Sequence, residues 1–191
     1  MSAGTFPLFL KLGGRRVLLV GAGRVAWWKL ETLLAAGADV TVVAPAALPE
    51  FSRAPARLVL RPFEEDDLDG VWLVVSAATP DVNRRVAAAA SARRVFVNSV
   101  DDPDHATAYA GSVLRRDGVT VAVSTDGRAP ALARLLREAL DSLLPADVSS
   151  WTDVARGLRR AWREARVPLE ARRPLLLHAL NRLYPRERLT S

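Results

Sequence analysis

The chain has 191 residues, half of them apolar and a quarter charged, enough to bury one full domain core and a smaller second one. It has no cysteine, which excludes disulfides and thiolate metal sites and fits a cytoplasmic protein. Net charge is +6; of 27 basic residues only Lys11 and Lys29 are lysines, which leaves 25 arginines. Guanidinium groups bind carboxylates and phosphates bidentately, so a polyanionic partner suits this excess, although arginine-biased codon usage on a solvated surface gives the same composition.

The opening residues, "MSAGTFPLFLKLGG", have neither a basic start nor a long apolar core, so no signal peptide is expected. No apolar run reaches the length of a bilayer, so no membrane partner is expected. From residue 16 onward, short β-branched runs alternate with helical stretches: "RVLLV", "DVTVV", "RLVL", "VWLVVSA" and "VFVNSV". Continuous apolar strands separated by helices are the pattern of a parallel sheet covered on both faces. The "LPEFSRAP" stretch before "RLVL" is too short for a crossover helix, so that connection is expected to be irregular. Thr79 and Pro80 suit the start of the helix "PDVNRRVAAAASAR", as cap and first-turn proline.

Past residue 110 the rhythm changes. "SVLRRDGVTVAVS" reads as a hairpin turning at Asp117-Gly118, with Val119, Val121 and Val123 on one face. In "PALARLLREALDSLLP" an apolar stripe runs through Leu132, Leu135, Leu136, Ala139, Leu140, Leu143 and Leu144. Hairpin and helix make a small core, so a second copy of the chain is the expected cover: a homodimer. Helices are expected near 151–166, strongly basic, and 169–182. The fold class is α/β: a Rossmann-type parallel sheet (1–110), a small α+β dimerisation domain (111–148) and C-terminal helices (149–191).

"VLLVGAGRVAWWKLETLL" is strand, glycine turn and helix in the order that binds a dinucleotide. Gly21 permits the tight turn, and Gly23 lets the backbone approach a pyrophosphate. The amides of Arg24 and Val25 at the helix start then face its charge. Ala26 takes the third glycine position, which governs helix–strand packing and tolerates alanine. No carboxylate follows "DVTVV" to hold a ribose. Ala44, Pro45 and Ala46 stand there instead, so backbone groups must serve, and the residues alone leave NAD and NADP open. Ala77, Ala78 and Thr79, after the fourth strand, leave space for the adenosine half, or simply make a tight strand-to-helix turn.

"PLFLKLGGRRVLLVGAGRVAWWKLETLLAAGADVTVVAP", "VVSAATPDVNRRV", "VNSVDDPDHA" and "VTVAVSTDGRAPALARLLREALDSLLP" together resemble the precorrin-2 dehydrogenase family, the NAD-dependent module of siroheme synthases. The resemblance runs in order over about residues 7–145. It implies oxidation of precorrin-2 to sirohydrochlorin with NAD as cofactor, a dimer, and in some members insertion of Fe2+ into the product. The sequence stops at residue 191 without a methyltransferase module, so the step that makes precorrin-2 is expected on another protein.

Asp101 matches the family's catalytic aspartate. Loss of two electrons and one hydrogen from the macrocycle must be accompanied by loss of a proton, and a positioned carboxylate can take it. Asp101, Asp102 and Asp104 would equally serve to cap a turn around Pro103. His105 is a weaker candidate acid–base or iron contact, and His178 reads as packing or surface; no resident metal is expected. The substrate that the resemblance implies is a polycarboxylate, so Arg115, Arg116 and Arg128, with Ser124, are candidate substrate contacts. The chain departs from the family at Trp27-Trp28, where an arginine commonly precedes Lys29. It departs again at Asp126, and at "HATAYAGSVLRR", where bulkier Phe and Pro residues are common; these departures bear chiefly on iron insertion. Two other classes fit parts of the sequence: a non-catalytic NAD-sensing module, and a nucleic-acid binder using "ARGLRRAWREARV". No nucleic-acid-binding motif supports the latter, and no nucleic-acid partner is expected.

Overall fold

The computed structural model describes residues 5–184. The chain divides into two compact units: residues up to Ala110 with Ser124–Ala129, and Gly111–Val123 with residues from Pro130 onward.

In the first unit five strands, β1 (Arg16–Val20), β2 (Asp39–Ala44), β3 (Arg57–Leu60), β4 (Leu73–Ser76) and β5 (Phe96–Ser99), form one parallel sheet in the order β3-β2-β1-β4-β5. This is the α/β architecture that the alternating runs predict. Both faces are covered, so the central strands need apolar residues at successive positions, and β1 and β4 supply them. On one face Val17, Leu19, Val42 and Val75 pack with Ala26, Leu30 and Leu33 of α1 (Arg24–Ala35). On the other, Leu18, Val20, Val43, Val74 and Val97 pack with Val86, Ala87 and Ala90 of α2 (Pro80–Ala92). Full burial of each such leucine or valine contributes about 1.5–3 kcal/mol.

The link from β2 to β3 is irregular, as its length requires. A 3-10 turn at Pro49–Arg53 buries Phe51 edge-on against Trp27, with ring centroids 5.2 Å apart. Between β3 and β4 a second 3-10 turn, Glu65–Leu68, buries Leu68 and is fastened by Arg61, whose guanidinium donates to both carboxylate oxygens of Asp67 at 2.9 and 2.6 Å. The fourth strand is shorter than "VWLVVSA" suggests. Trp72 lies outside it, exposed, its ring 3.8 Å from the Arg15 guanidinium. Thr79 does occupy the N-cap of α2, but its side chain makes no capping bond; backbone geometry and Pro80 start this helix.

In the second unit β6 (Ser112–Arg116) and β7 (Val119–Val123) pair antiparallel. Asp117 and Gly118 turn the hairpin with φ of 44° and 85°, the left-handed pair that a two-residue loop needs. The helix α3 (Pro130–Leu143) buries Ala133, and Arg116 reaches it from the hairpin, pairing with Asp141 and donating to the Leu144 carbonyl at 2.7 Å. Leu132, Leu135, Leu136, Leu140 and Leu143 remain exposed, Leu135 by 62% and Leu143 by 77%. Leu136 and Leu140 stand at i+3 and i+7 from Ala133, so the stripe takes in the line on which α3 buries Ala133, yet its leucines stay uncovered by the described residues. Helices α4 (Val148–Glu164) and α5 (Leu169–Asn181) follow; the Trp151 indole donates to the Tyr184 hydroxyl at 2.7 Å, and that hydroxyl donates to Asp147.

Candidate functional site

The order β3-β2-β1-β4-β5 reverses the direction of chain progress between β1 and β4, and a crevice opens outside the carboxyl ends of strands at such a switch point. Gly21 ends β1 there with φ 105°, and a Cβ on it would lie 2.3 Å from the Ala77 carbonyl oxygen at the end of β4. Only glycine lets these two loops approach so closely. Gly23 differs: its φ is −91°, it is exposed, and an added Cβ would meet nothing within 4 Å. It caps α1 with no side chain, and the first helical amide to bond back is that of Trp27, to the Gly23 carbonyl at 3.0 Å. The amides of Arg24, Val25 and Ala26 are thereby left for an external acceptor, at an exposed helix start. Ala26 is itself fully buried against the sheet, which is why alanine serves where glycine is usual. This cradle, open in front of Gly23 and closed behind Gly21, fits a dinucleotide pyrophosphate.

Beside it, Ala44 is buried at the end of β2, and Pro45 and Ala46 are exposed. Ala77 and Ala78 are half-buried and Thr79 exposed at the end of β4. These cofactor candidates therefore share the carboxyl edge with Gly21 and Gly23.

Asp101 follows β5 at the same edge, exposed, with φ 57°. That left-handed conformation is one that aspartate tolerates better than most residues, and it turns the chain sharply away from the sheet. The following 3-10 turn, Pro103–His105, folds residues 106–109 back on β5: the amides of Thr107 and Ala108 donate to the Val97 carbonyl, both at 2.9 Å, and Asn98 Nδ2 donates to the Ala108 carbonyl at 2.9 Å. His105 Nδ1 lies 2.8 Å from an Asp102 oxygen, and the Tyr109 hydroxyl donates to the Pro103 carbonyl at 3.0 Å. Among the described residues no three His, Asp or Glu side chains converge as a metal site.

The loop of Ser124–Ala129 lies on this strap: a Cβ at Gly127, where φ is 75°, would sit 2.9 Å from Pro103 Cβ. Ser124 and Arg128 are exposed on that loop, and the Asp126 carboxylate accepts the Thr5 hydroxyl at 2.7 Å. Of the hairpin arginines, Arg115 is exposed, whereas the guanidinium of Arg116 is already engaged by Asp141 and the Leu144 carbonyl.

Two residues of the site escape the sequence reading. Lys29, half-buried on α1, has its ammonium pushed below the usual lysine range by burial, against the opposing pull of the Asp101 carboxylate. Asn83 is buried on α2, its side chain bonded to Ser76, Ala78 and Val100. Its signal was present: Asn83, Val86, Ala87 and Ala90 share the buried face of α2 at i, i+3, i+4 and i+7, and a polar residue in such a stripe needs partners.

Residues 8–112 match the family model described as "Putative NAD(P)-binding", and residues 116–143 match that of the sirohaem biosynthesis protein central region. The siroheme synthase of Citrobacter koseri is 45% identical over 158 residues, 80% of this chain and 35% of that protein, and one from Escherichia coli is 44% identical over the same shares. The chain therefore spans about a third of the length of these relatives. Among solved structures, SirC, a precorrin-2 dehydrogenase, superposes with a TM-score of 0.68 at 25% identity, over 91% of this chain and 88% of that one. With the glycine cradle at the switch point and residues 8–112, more than half of the chain, matched by its model, the chain belongs to the putative NAD(P)-binding family.

Proposed function

We propose that this chain oxidises precorrin-2 to sirohydrochlorin with NAD+ as acceptor. The observation that carries the reading is the shared edge: the dinucleotide cradle at Gly21–Val25 and the Asp101 turn both sit at the carboxyl ends of one parallel sheet. The resemblance to siroheme synthases and to SirC supports the choice of substrate.

The Arg24 and Val25 amides receive the pyrophosphate, Gly23 leaves it room, and backbone at Ala44–Ala46 receives the ribose. Neither a carboxylate nor a cation stands at Ala44–Ala46, so the choice of NAD over NADP rests on the resemblance to the precorrin-2 dehydrogenases. The bound nicotinamide supplies an acceptor for two electrons and one hydrogen from the substrate. One proton must also leave the macrocycle, and the Asp101 carboxylate accepts it, so that a new double bond forms without build-up of charge. The Lys29 ammonium faces this carboxylate electrostatically. Ser124, Arg115 and Arg128, all exposed, are the contacts proposed for substrate carboxylates; the engaged fork of Arg116 holds the hairpin to α3.

The exposed leucine face of α3 supports a homodimer closed over Leu132, Leu135, Leu136, Leu140 and Leu143. A cytoplasmic location completes the reading, and insertion of Fe2+ into the product is a further activity that the same assay tests. Anaerobic incubation with precorrin-2 and either NAD+ or NADP+, followed by addition of Fe2+, tests it. Sirohydrochlorin is expected with NAD+, several-fold slower or absent with NADP+. NAD+ binding without any product would instead make the chain a sensor of the dinucleotide.

A further inference from the structure

Asn83 lies one turn into α2, 4% exposed, and bonds to both loops of the site. Its Oδ1 accepts the Ser76 hydroxyl at 2.6 Å and the Ala78 amide at 3.1 Å. Its Nδ2 donates to the Val100 carbonyl at 3.4 Å. The orientation of the side-chain amide is dictated by chemistry: a backbone N–H can only donate, so the atom facing Ala78 must be the oxygen, and the nitrogen is left for Val100. Ala78 belongs to the loop offered to the dinucleotide, and Val100 immediately precedes Asp101. A backbone bond from the Val100 amide to the Ser76 carbonyl, at 2.9 Å, closes the same ring. Ser99, the register partner of Ser76, has a buried hydroxyl without a hydrogen-bond partner among the described residues, so it adds no second tie.

We propose that Asn83 is a positioning residue whose side-chain amide bonds the dinucleotide loop at Ala78 to the carbonyl before Asp101 and so sets where the Asp101 carboxylate stands relative to the bound nucleotide. The inference rests on Asp101 being the base. The left-handed conformation of Asp101 makes the tie consequential: a turn with φ 57° is held by its surroundings, and a small rotation at Val100 swings the carboxylate. The bond to Ser76 is buried and those to Ala78 and Val100 are partly buried, so the one side-chain amide couples the positions of the two loops.

The test uses the full chain, unaltered and as Asn83→Ala, Asn83→Asp and Ser76→Ala. Asn83→Asp keeps an oxygen for Ala78 and removes the donor to Val100; Ser76→Ala removes one bond that does not reach Asp101. Circular dichroism and thermal unfolding show which variants fold, and Asn83→Asp serves if Asn83→Ala does not. The first readout is the carbon-13 carboxyl resonance of Asp101, assigned by its loss in Asp101→Asn, with and without saturating NAD+. NAD+ is expected to shift it in the unaltered protein and in Ser76→Ala, and to shift it by less than half as much in the Asn83 variants. An unchanged response in those variants, or none in the unaltered protein, overturns the proposal.

The second readout is turnover. Asn83→Asp is expected to lower kcat about 10- to 100-fold while KM for NAD+ changes less than about 5-fold, and to have no further effect in an Asp101→Asn background. Equal losses in both backgrounds would mean a merely structural role and overturn the proposal. Absence of turnover in the unaltered protein contradicts the dehydrogenase reading alone, because the resonance still reports on Asn83.

Discussion

Substituting Gly23 by alanine separates binding from folding at one carbon atom. The new Cβ would meet no atom within 4 Å, and φ −91° with ψ −171° is ordinary extended backbone for alanine. Alanine is a poorer N-cap than glycine by up to about 1 kcal/mol. Against this, it removes about 0.4–1 kcal/mol of unfolded-chain freedom. The two terms nearly offset, so stability should change by less than about 1 kcal/mol. The bound state is another matter. Phosphate oxygens must lie about 2.9 Å from the amides that hold them, and a methyl group in front of α1 forbids that approach. Losing two such charge-assisted bonds, about 1.5–3 kcal/mol each, raises the Kd for NAD+ by about 10² to 10⁴. Gly21→Ala provides the contrast: a Cβ 2.3 Å from the Ala77 carbonyl oxygen, at φ 105°, should cost about 2–4 kcal/mol of stability with or without nucleotide. Urea unfolding and calorimetric titration with NAD+ measure both. A Gly23→Ala protein that binds NAD+ within twofold of the unaltered chain would refute the assignment of the cradle.

Three further outcomes follow from the same geometry. Lys29 has a folded-state pKa below 10.5, mainly through burial, so between the folded and unfolded values the unfolded chain holds more protons and stability rises with pH. Lys29→Met should remove that alkaline rise and melt at a higher temperature than the unaltered protein at pH 7, as thermal scans across pH would show. Burial pushes the Asp67 carboxyl upward, but the bonds from Arg61 and the Glu64 amide outweigh it and hold it below 3.8. Its contribution is therefore present above about pH 3.8 and lost as pH falls through the folded value; Asp67→Asn should cost about 1–2 kcal/mol at pH 7 and flatten the acid limb of the stability curve. Leu135→Glu on the exposed face of α3 should shift sedimentation from dimer toward monomer without lowering helix content, and an unchanged dimer would place the interface elsewhere.

The sheet was readable because its strands are buried on both faces, and such strands write themselves as unbroken apolar runs. The glycine turn was readable because close backbone approach excludes every other residue. What the runs could not reveal is which side of α3 its neighbours cover. The leucine periodicity describes one broad face of that helix, yet of its residues only Ala133 is buried, and the side-chain tie to the hairpin is the ion pair of Arg116 with Asp141. Thr79 illustrates a local rule overridden: it occupies the cap position, but its hydroxyl makes no capping bond. Asn83 showed in the sequence only as a polar residue in the buried stripe of α2, and the role of Lys29 not at all, for a different reason. Their roles depend on loops brought together from three strand ends, and no spacing along the chain encodes that meeting.

The most direct test of the account is a single-turnover experiment with enzyme in excess of precorrin-2 at saturating NAD+, following NADH fluorescence in the unaltered protein and in Asp101→Asn. Asparagine preserves shape and tolerates the φ of 57° at this position, so NAD+ should bind equally to both. NADH is expected to form in the unaltered protein and to fall about 10²- to 10⁴-fold in rate in the variant. Equal rates would contradict Asp101 as the base, and no NADH from either protein, with NAD+ bound to both, would contradict the dehydrogenase itself.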